Sequence, residues 1–306
     1  MTLTELKYIR AVARHLHFGK AAESCFVSQP TLSVAVRKLE EELGVTLFER
    51  RKQEVTVTPV GAQIVAQAER VLSAAEEVKS IALAGQDQIT GPLSVGFIYT
   101  IGPYLLPSLL PTLKREVPQM PLRINEDFTD VLMARLKDGD LDVAVLALPA
   151  SDPELVSQAV YREPFVAAVP SDHALASETE VTTEVLTEDT MLLLSARNCF
   201  RDQVLASCPS CATGGQSMLQ RTLEGGSLET IRHMTAAGAG VTVLPLLATT
   251  GANADSELVR YVPFRAPAPE RVIGVVYRRT FPRPEAVHAL VKSIKSAVEG
   301  VVQVEP

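Results

Sequence analysis

The sequence predicts an α+β multidomain protein: an N-terminal winged helix-turn-helix, a long coiled-coil linker helix, and a two-lobed α/β domain filling the remainder. Three observations carry this reading. Two short helical patterns precede a third that opens on Ser28-Gln29-Pro30-Thr31, and two extended runs follow around a basic tip. An apolar stripe in steps of four and three residues then runs from Val60 to Ala82. Beyond the polar linker Gly85–Gly91, strand and helix patterns alternate. The expected boundaries are 1–58, 59–90 and 91–306, with lobe I about 91–163 and 268–306 and lobe II about 164–267.

A chain of 306 residues is too long for one ordinary core. Its 46% apolar and 21% charged residues describe a globular protein with ample core material. The net charge of −7 is uneven: residues 1–58 carry +2, leaving −9 for the rest. An N-terminal segment that attracts phosphate is therefore compatible with an acidic whole. The opening MTLTELK lacks a basic segment leading into an apolar run, and no window approaches the roughly 20 apolar residues of a membrane span. A cytoplasmic protein without membrane contact is expected. Four cysteines in a reducing compartment are not a structural framework, so their clustering points to chemistry or sensing.

In order along the chain, Leu3, Leu6, Ile9, Val12 and Ala13 recur at helical spacing. Gly19–Cys25 supplies a short second helix. The third runs from Ser28 to about Leu43, with Leu32, Val36, Leu39 and Leu43 on its buried face; Ser28 or Gln29 caps it, Pro30 suits its first turn and Gly44 ends it. Helix, turn, helix beginning with short polar groups fits a reading motif, in which Ser28, Gln29, Pro30, Thr31, Ser33, Arg37 and Lys38 face double-stranded DNA. The competing reading is a plain surface helix. Phe48–Thr58 reads as a β-wing whose tip, Arg50, Arg51 and Lys52, meets the DNA backbone.

Thr58 caps the next helix and Pro59 starts it. Val60, Ile64, Ala68, Val71, Ala75, Val78 and Ala82 form a seam that calls for a second copy, and a dimer would present two reading helices to a site of approximate dyad symmetry. The remaining segments read as strand Leu93–Ile98, helix Tyr104–Val117, strand Leu122–Phe128, helix Thr129–Lys137 ended by Gly139, and strand Leu141–Leu148. A second block holds Phe165–Val169, Met191–Ser195, helix Ser227–Ala237 and Val241–Leu244, before Arg271–Tyr277 and a last helix over Pro284–Val301. The alternation predicts a mostly parallel sheet wrapped by helices, with a cleft between two lobes.

Asn198–Cys211, NCFRDQVLASCPSC, holds three of the four cysteines, with Arg197 and Arg201 beside the first. If Cys199 opens a helix, the helix dipole and an arginine favour its thiolate. On one helix Cys199 and Cys208 would stand roughly 13 Å apart at about 1.5 Å per residue, whereas a disulfide needs Cα atoms within about 7 Å. They can bond only if the helix unwinds. Cys25 reads as a small buried residue. Cys208 and Cys211 form C-x-x-C without the strand a thioredoxin-like motif needs, and no histidine completes a zinc set; neither metal nor cofactor is expected.

AAESCFVSQPTLSVAVRKLEEELGVTLFER, the TPVG helix start and the two-lobed half together resemble the LysR-type transcriptional regulators over essentially the whole chain. GFIYTIGPYLLP, CFRDQ and GGSLETIRHMTAAGAGVTVLP are similar to the peroxide-sensing branch of that family. The resemblance implies periplasmic-binding-protein-like lobes and a homotetramer that contacts RNA polymerase. It also implies that hydrogen peroxide oxidises Cys199 and that Cys208 resolves it as a disulfide. Around the oxidant it places Thr100 and Thr129, with Asp202 and Gln203 following the reactive cysteine. The sequence departs in having Asn198 where many relatives carry histidine, and Cys211 as a rival resolving thiol.

A peroxide sensor needs a thiolate, donors for the departing hydroxide and a second thiol. Cys199 supplies the first; Thr100, Thr129 and Gln203 are the candidate donors, Arg271 is a candidate positive charge and Asn198 a further pocket neighbour, with Asp202 as a tether for a basic or polar partner. Two other functions compete: a regulator of the same fold answering to a small organic anion in the cleft, and a thiol peroxidase. The second leaves the reading domain without purpose, so a non-enzyme is expected.

Overall fold

The computed structural model describes residues 1–51, 54–84, 87–208, 222–251 and 257–305, and side chains at all of these but 50, 51, 54, 80–84 and 222. They form two compact units, Met1–Gln86 and Asp87–Pro306.

In the first unit, helix α1 (Leu3–His15) starts from a reciprocal cap: the Thr2 side chain accepts from the Glu5 N–H, and the Glu5 carboxylate accepts from the Thr2 N–H at 2.7 Å. Helix α2 (Phe18–Ser24) and helix α3 (Gln29–Leu43) follow. Leu6, Ile9, Val12, Ala21, Ala22, Leu32, Val36 and Leu39 meet in one core. Leu43 does not join them; at the last turn of α3 the helix has run past the core and leaves it 37% exposed. Gly44 ends α3 at φ +68°, a conformation that costs glycine little.

Strands β1 (Phe48–Arg51) and β2 (Glu54–Val57) pair antiparallel, Phe48 opposite Val57, as the expected wing. Glu40 ties it to α3: its carboxylate accepts from the N–H groups of Leu47 at 2.7 Å and Phe48 at 3.1 Å. Helix α4 (Pro59–Ala84) is capped by Thr58, whose hydroxyl accepts from Gly61 N–H at 2.9 Å. Its Val65, Ala68 and Leu72 are buried in the core with α1. Ala68 therefore leaves the expected seam. Val60, Val71 and Val78 remain exposed on α4, while the Ala82 side chain lies outside the described residues.

The second unit runs β3 (Leu93–Ile98), α5 (Gly102–Glu116), β4 (Leu122–Asp127), α6 (Thr129–Lys137), β5 (Val143–Leu148), β6 (Leu155–Pro170), β7 (Met191–Leu194) and α7 (Cys199–Ser207). It continues through β8 (Thr222–Gly225), α8 (Leu228–Ala236), β9 (Thr242–Pro245), β10 (Val259–Pro263), β11 (Glu270–Arg278), α9 (Pro284–Val298) and β12 (Gln303–Val304). The main sheet has the order β10-β6-β11-β5-β3-β4, with β9 and β12 also on β6.

This corrects the mostly parallel expectation. Only β3 with β4, β3 with β5, and β7 with β8 are parallel. Every pairing of β6, and that of β11 with β5, is antiparallel. The cause is β6 itself, of which the sequence pattern predicts only Phe165–Val169 but which is one strand of 16 residues. Its first part pairs with β11 and its last residues, Phe165–Pro170, with β9 and β10, so one strand runs through both lobes. Two apolar cores result. One gathers β3, β5, β11, α5 and α9; the other gathers the end of β6 with β7, β9, β10, α7 and α8.

Candidate redox site and nucleic-acid interface

Helix α7 opens on Cys199, as the sequence implies, and Asn198 caps it by accepting the Phe200 N–H at 3.2 Å. Asn198 is buried, so the residue standing in the histidine position is committed to starting the helix. Phe200, Val204 and Cys208 recur every four residues and bury into the second core. Cys199 lies one residue off that stripe and packs instead against the first core. A single helical turn thus places the thiol where the two cores meet.

The Thr129 hydroxyl, at the first residue of α6, donates to Cys199 Sγ at 3.5 Å. Next to this lies a buried polar cluster. Arg271 on β11 donates through Nε to Glu163 at 2.8 Å, through Nη1 to the Thr100 hydroxyl at 2.9 Å and through Nη2 to the Thr100 carbonyl at 2.9 Å. Its guanidinium also lies 5.1 Å from the centre of the Phe200 ring, the residue after the thiol. Since the Thr100 hydroxyl accepts from Arg271, its own proton is left to donate. The charge of Arg271 is spent on Glu163, so it acts by fixing Thr100 rather than as an open cation. That revises the expected role.

The arginines flanking the thiol are likewise committed. Arg201 donates to the Leu194 carbonyl at 2.9 Å and pairs with Glu224 at 2.6 Å. Arg197 lies 4.5 Å over the Phe128 ring and 3.4 Å from Asp130, clasping the start of α6. Gln203 turns inward, and its Oε1 is buried without a hydrogen-bond partner among the described residues. Asp202 is exposed and joins none of these contacts. Cys25 and Cys199 are free thiols. Cys208 at the far end of α7 is disulfide-bonded, and the rival thiol Cys211 lies outside the described residues. In this state Cys208 is therefore not joined to Cys199, and its sulfur lies 3.4 Å from the Thr183 carbonyl.

In the first unit Ser28 caps α3, accepting from the Thr31 N–H at 3.3 Å, and the two hydroxyls share a hydrogen bond of 2.7 Å. Ser28, Gln29, Pro30, Thr31, Arg37 and Lys38 are exposed, whereas Ser33 is half-buried because it borders the Leu32–Val36 stripe. The exposed row instead passes through Val34, 68% exposed and one turn from both Pro30 and Lys38. The side chain of Arg50 and all of Lys52 lie outside the described residues.

Residues 3–62 match the model of the bacterial regulatory helix-turn-helix proteins of the lysR family, and residues 86–299 match the LysR substrate binding domain. The chain belongs to the LysR family. Its LysR-family relatives include the hydrogen peroxide-inducible genes activator of Pectobacterium carotovorum subsp. carotovorum, 37% identical and covering 99% of each chain. The DNA-binding transcriptional dual regulator OxyR of Escherichia coli (strain K12) is 37% identical over 98% of this chain and 97% of its own. Among solved structures, a full-length OxyR from Pseudomonas aeruginosa with a cysteine-to-aspartate substitution superposes with a TM-score of 0.79 at 46% identity, covering 100% and 99% of the two chains. An H2O2-bound cysteine-to-serine mutant of Corynebacterium glutamicum OxyR gives 0.66 at 34% identity, over 98% and 93%. The chain thus joins a lysR-family helix-turn-helix unit to a LysR substrate binding domain.

Sequence reasoning missed Glu163 and Val34. Glu163 sits 108 residues before its partner Arg271, and no local pattern signals such a pair. Val34 was detectable, because it falls off the Leu32–Val36–Leu39 stripe.

Proposed function

We propose that this chain is a hydrogen-peroxide-responsive transcription regulator in which Cys199 is the sensing thiol. The names of its relatives, and the peroxide-bound neighbour, support the effector. The observation that carries the reading is the free Cys199 at the first residue of α7, receiving the Thr129 hydroxyl beside the Thr100–Arg271 cluster. Its thiolate attacks one peroxide oxygen, the O–O bond breaks, and the other oxygen leaves as hydroxide that takes up a proton to become water. Thr100 donates to the departing oxygen, Thr129 turns its one proton from Cys199 Sγ to the peroxide as it enters, and the Gln203 amide oxygen accepts from the peroxide O–H. Asn198 holds the helix start, and Asp202 faces solvent.

The sulfenic acid on Cys199 is then attacked by the Cys208 thiolate; the S–O bond breaks, the disulfide forms, and the hydroxide released takes up the proton given up by the Cys208 thiol to become a second water. Cys208 must first be freed from its own bond by a dithiol. Because α7 separates the two cysteines, bond formation requires the helix to unwind, which couples the chemistry to packing in both cores. We assign 1–58 to DNA reading through Ser28, Gln29, Pro30, Thr31, Ser33, Arg37, Lys38 and Arg50, 59–90 to coupling, and 91–306 to sensing. The exposed Val60, Val71 and Val78 favour a dimer through α4 on double-stranded DNA of approximate dyad symmetry. A tetramer, contact with RNA polymerase and a cytoplasmic setting complete the proposal.

The test is DNA footprinting of the reduced and peroxide-treated chain beside Cys199→Ser. The footprint is expected to change in the wild type only; identical footprints in both redox states would count against it.

A further inference from the structure

The turn between α2 and α3 closes on a side chain that neither the core nor the redox site accounts for. The Phe26 N–H donates to the Glu23 carbonyl at 3.0 Å and the Val27 N–H to the Ala22 carbonyl at 3.0 Å. These two bonds are the paired closure of a helix C-terminus whose αL position falls to glycine, or to asparagine, because a Cβ is crowded there. Here the position holds phenylalanine, at φ +56°. It is also 97% exposed, whereas the other exposed large apolar residues among those described span 37% to 69%. The residue thus carries both a backbone cost and a hydration cost, and the core of the described residues in the first unit does not include it.

Its position says what can. Phe26 stands two residues before Ser28, the cap of α3, and Ser28, Gln29, Pro30 and Thr31 beside it are all exposed. The N-terminal turn of a reading helix is the part that enters the major groove. An aromatic ring projecting from the preceding turn has no hydrogen bond to make, so it recognises an apolar group: the 5-methyl of thymine or the carbon face of a deoxyribose. We infer that Phe26 is a DNA-contacting residue that packs on such a group at the edge of the half-site. This rests on the DNA-reading assignment of α3 made above.

The experiment compares full-length wild type, Phe26→Asn and Phe26→Leu on a duplex selected by the wild-type chain from a random-sequence library. Asparagine suits the αL turn, so the melting temperature of Phe26→Asn is expected to hold or rise while affinity falls about tenfold, the order of losing an apolar side-chain contact. The slope of affinity against salt is expected to stay unchanged, because no phosphate contact is removed. Phe26→Leu keeps most of the affinity. Repeating the titrations with deoxyuridine for thymidine separates the two apolar targets: a wild-type loss that Phe26→Asn does not add to assigns the methyl, and independent losses assign the sugar. Affinity of Phe26→Asn within twofold of wild type, or a loss that follows a lowered melting temperature, overturns the inference. Failure of the wild type to select any duplex would instead overturn the DNA-reading assignment.

Discussion

Replacing Arg271 with methionine isolates what holds the proposed sensing pocket in shape. Arg271 and Glu163 are 1% and 0% exposed, and two donors of the guanidinium lie 2.8 and 2.7 Å from the same carboxylate oxygen. Methionine fills much of the volume but strands Glu163, which among the described residues keeps the Leu247 N–H at 2.9 Å. Removing one partner of a buried pair costs about 3–5 kcal/mol. The Thr100 carbonyl loses its guanidinium donor as well, adding about 1 kcal/mol. A loss of about 4–6 kcal/mol is a large part of the 5–15 kcal/mol typical of a domain. Urea unfolding of the reduced chain, followed by circular dichroism, measures it. Adding Glu163→Gln removes the stranded charge while keeping an acceptor for Leu247, so the double variant is expected to recover about half. A single-variant loss under about 1 kcal/mol, or strictly additive effects in the double, would refute the reasoning.

Thr129→Val removes the hydroxyl that donates to Cys199 Sγ; a hydrogen bond to a charged group is worth about 1.5 kcal/mol, so the rate with peroxide is expected to fall about tenfold by stopped flow. Glu40→Ala leaves the N–H groups of Leu47 and Phe48 without their acceptor, and a destabilisation of about 1–3 kcal/mol is expected in thermal melts. Burial raises the Asp142 carboxyl above its usual range, against the opposing Ser94 N–H bond and nearby arginines. A raised native value means the ionised group opposes folding: the penalty is absent below the unfolded-chain pKa and complete above the native one. Asp142→Asn is therefore expected to be more stable than wild type near neutral pH, with the gain vanishing as pH falls through that window in parallel denaturant titrations.

Local signals were enough where an element is specified by its own residues. The strand Leu93–Ile98 and the helix Thr129–Lys137 stand where their apolar period and flanking Gly139 put them. Thr58, Pro59 and Ser28 carry their caps as the cap chemistry of hydroxyls and proline requires. What escaped is non-local. The first half of β6, with Gln158, Arg162 and Glu163 among its residues, lacks a clean alternation; β11 pairs along it on one side, and β12 reaches it on the other only at Tyr161 and Arg162. Its antiparallel course depends on β11 returning more than a hundred residues later, which no window of sequence contains. The redox site divides the same way. Cys199 was legible from its spacing and composition, and the helix that isolates it from Cys208 followed from that spacing. Its partners were less so: the arginines beside it in sequence turn away to Glu224 and to Phe128 and Asp130, while Thr129 reaches it from another lobe.

The central claim is that peroxide acts at Cys199 and that Cys208 closes the bond. It is tested most directly by reducing the full chain with a dithiol, removing the reductant, adding one equivalent of hydrogen peroxide and mapping disulfides by mass spectrometry. The account predicts a peptide linking Cys199 to Cys208 within a single turnover, and none in Cys199→Ser. Recovery of Cys199 as a free thiol, with Cys208 bonded to Cys211 alone, would contradict it.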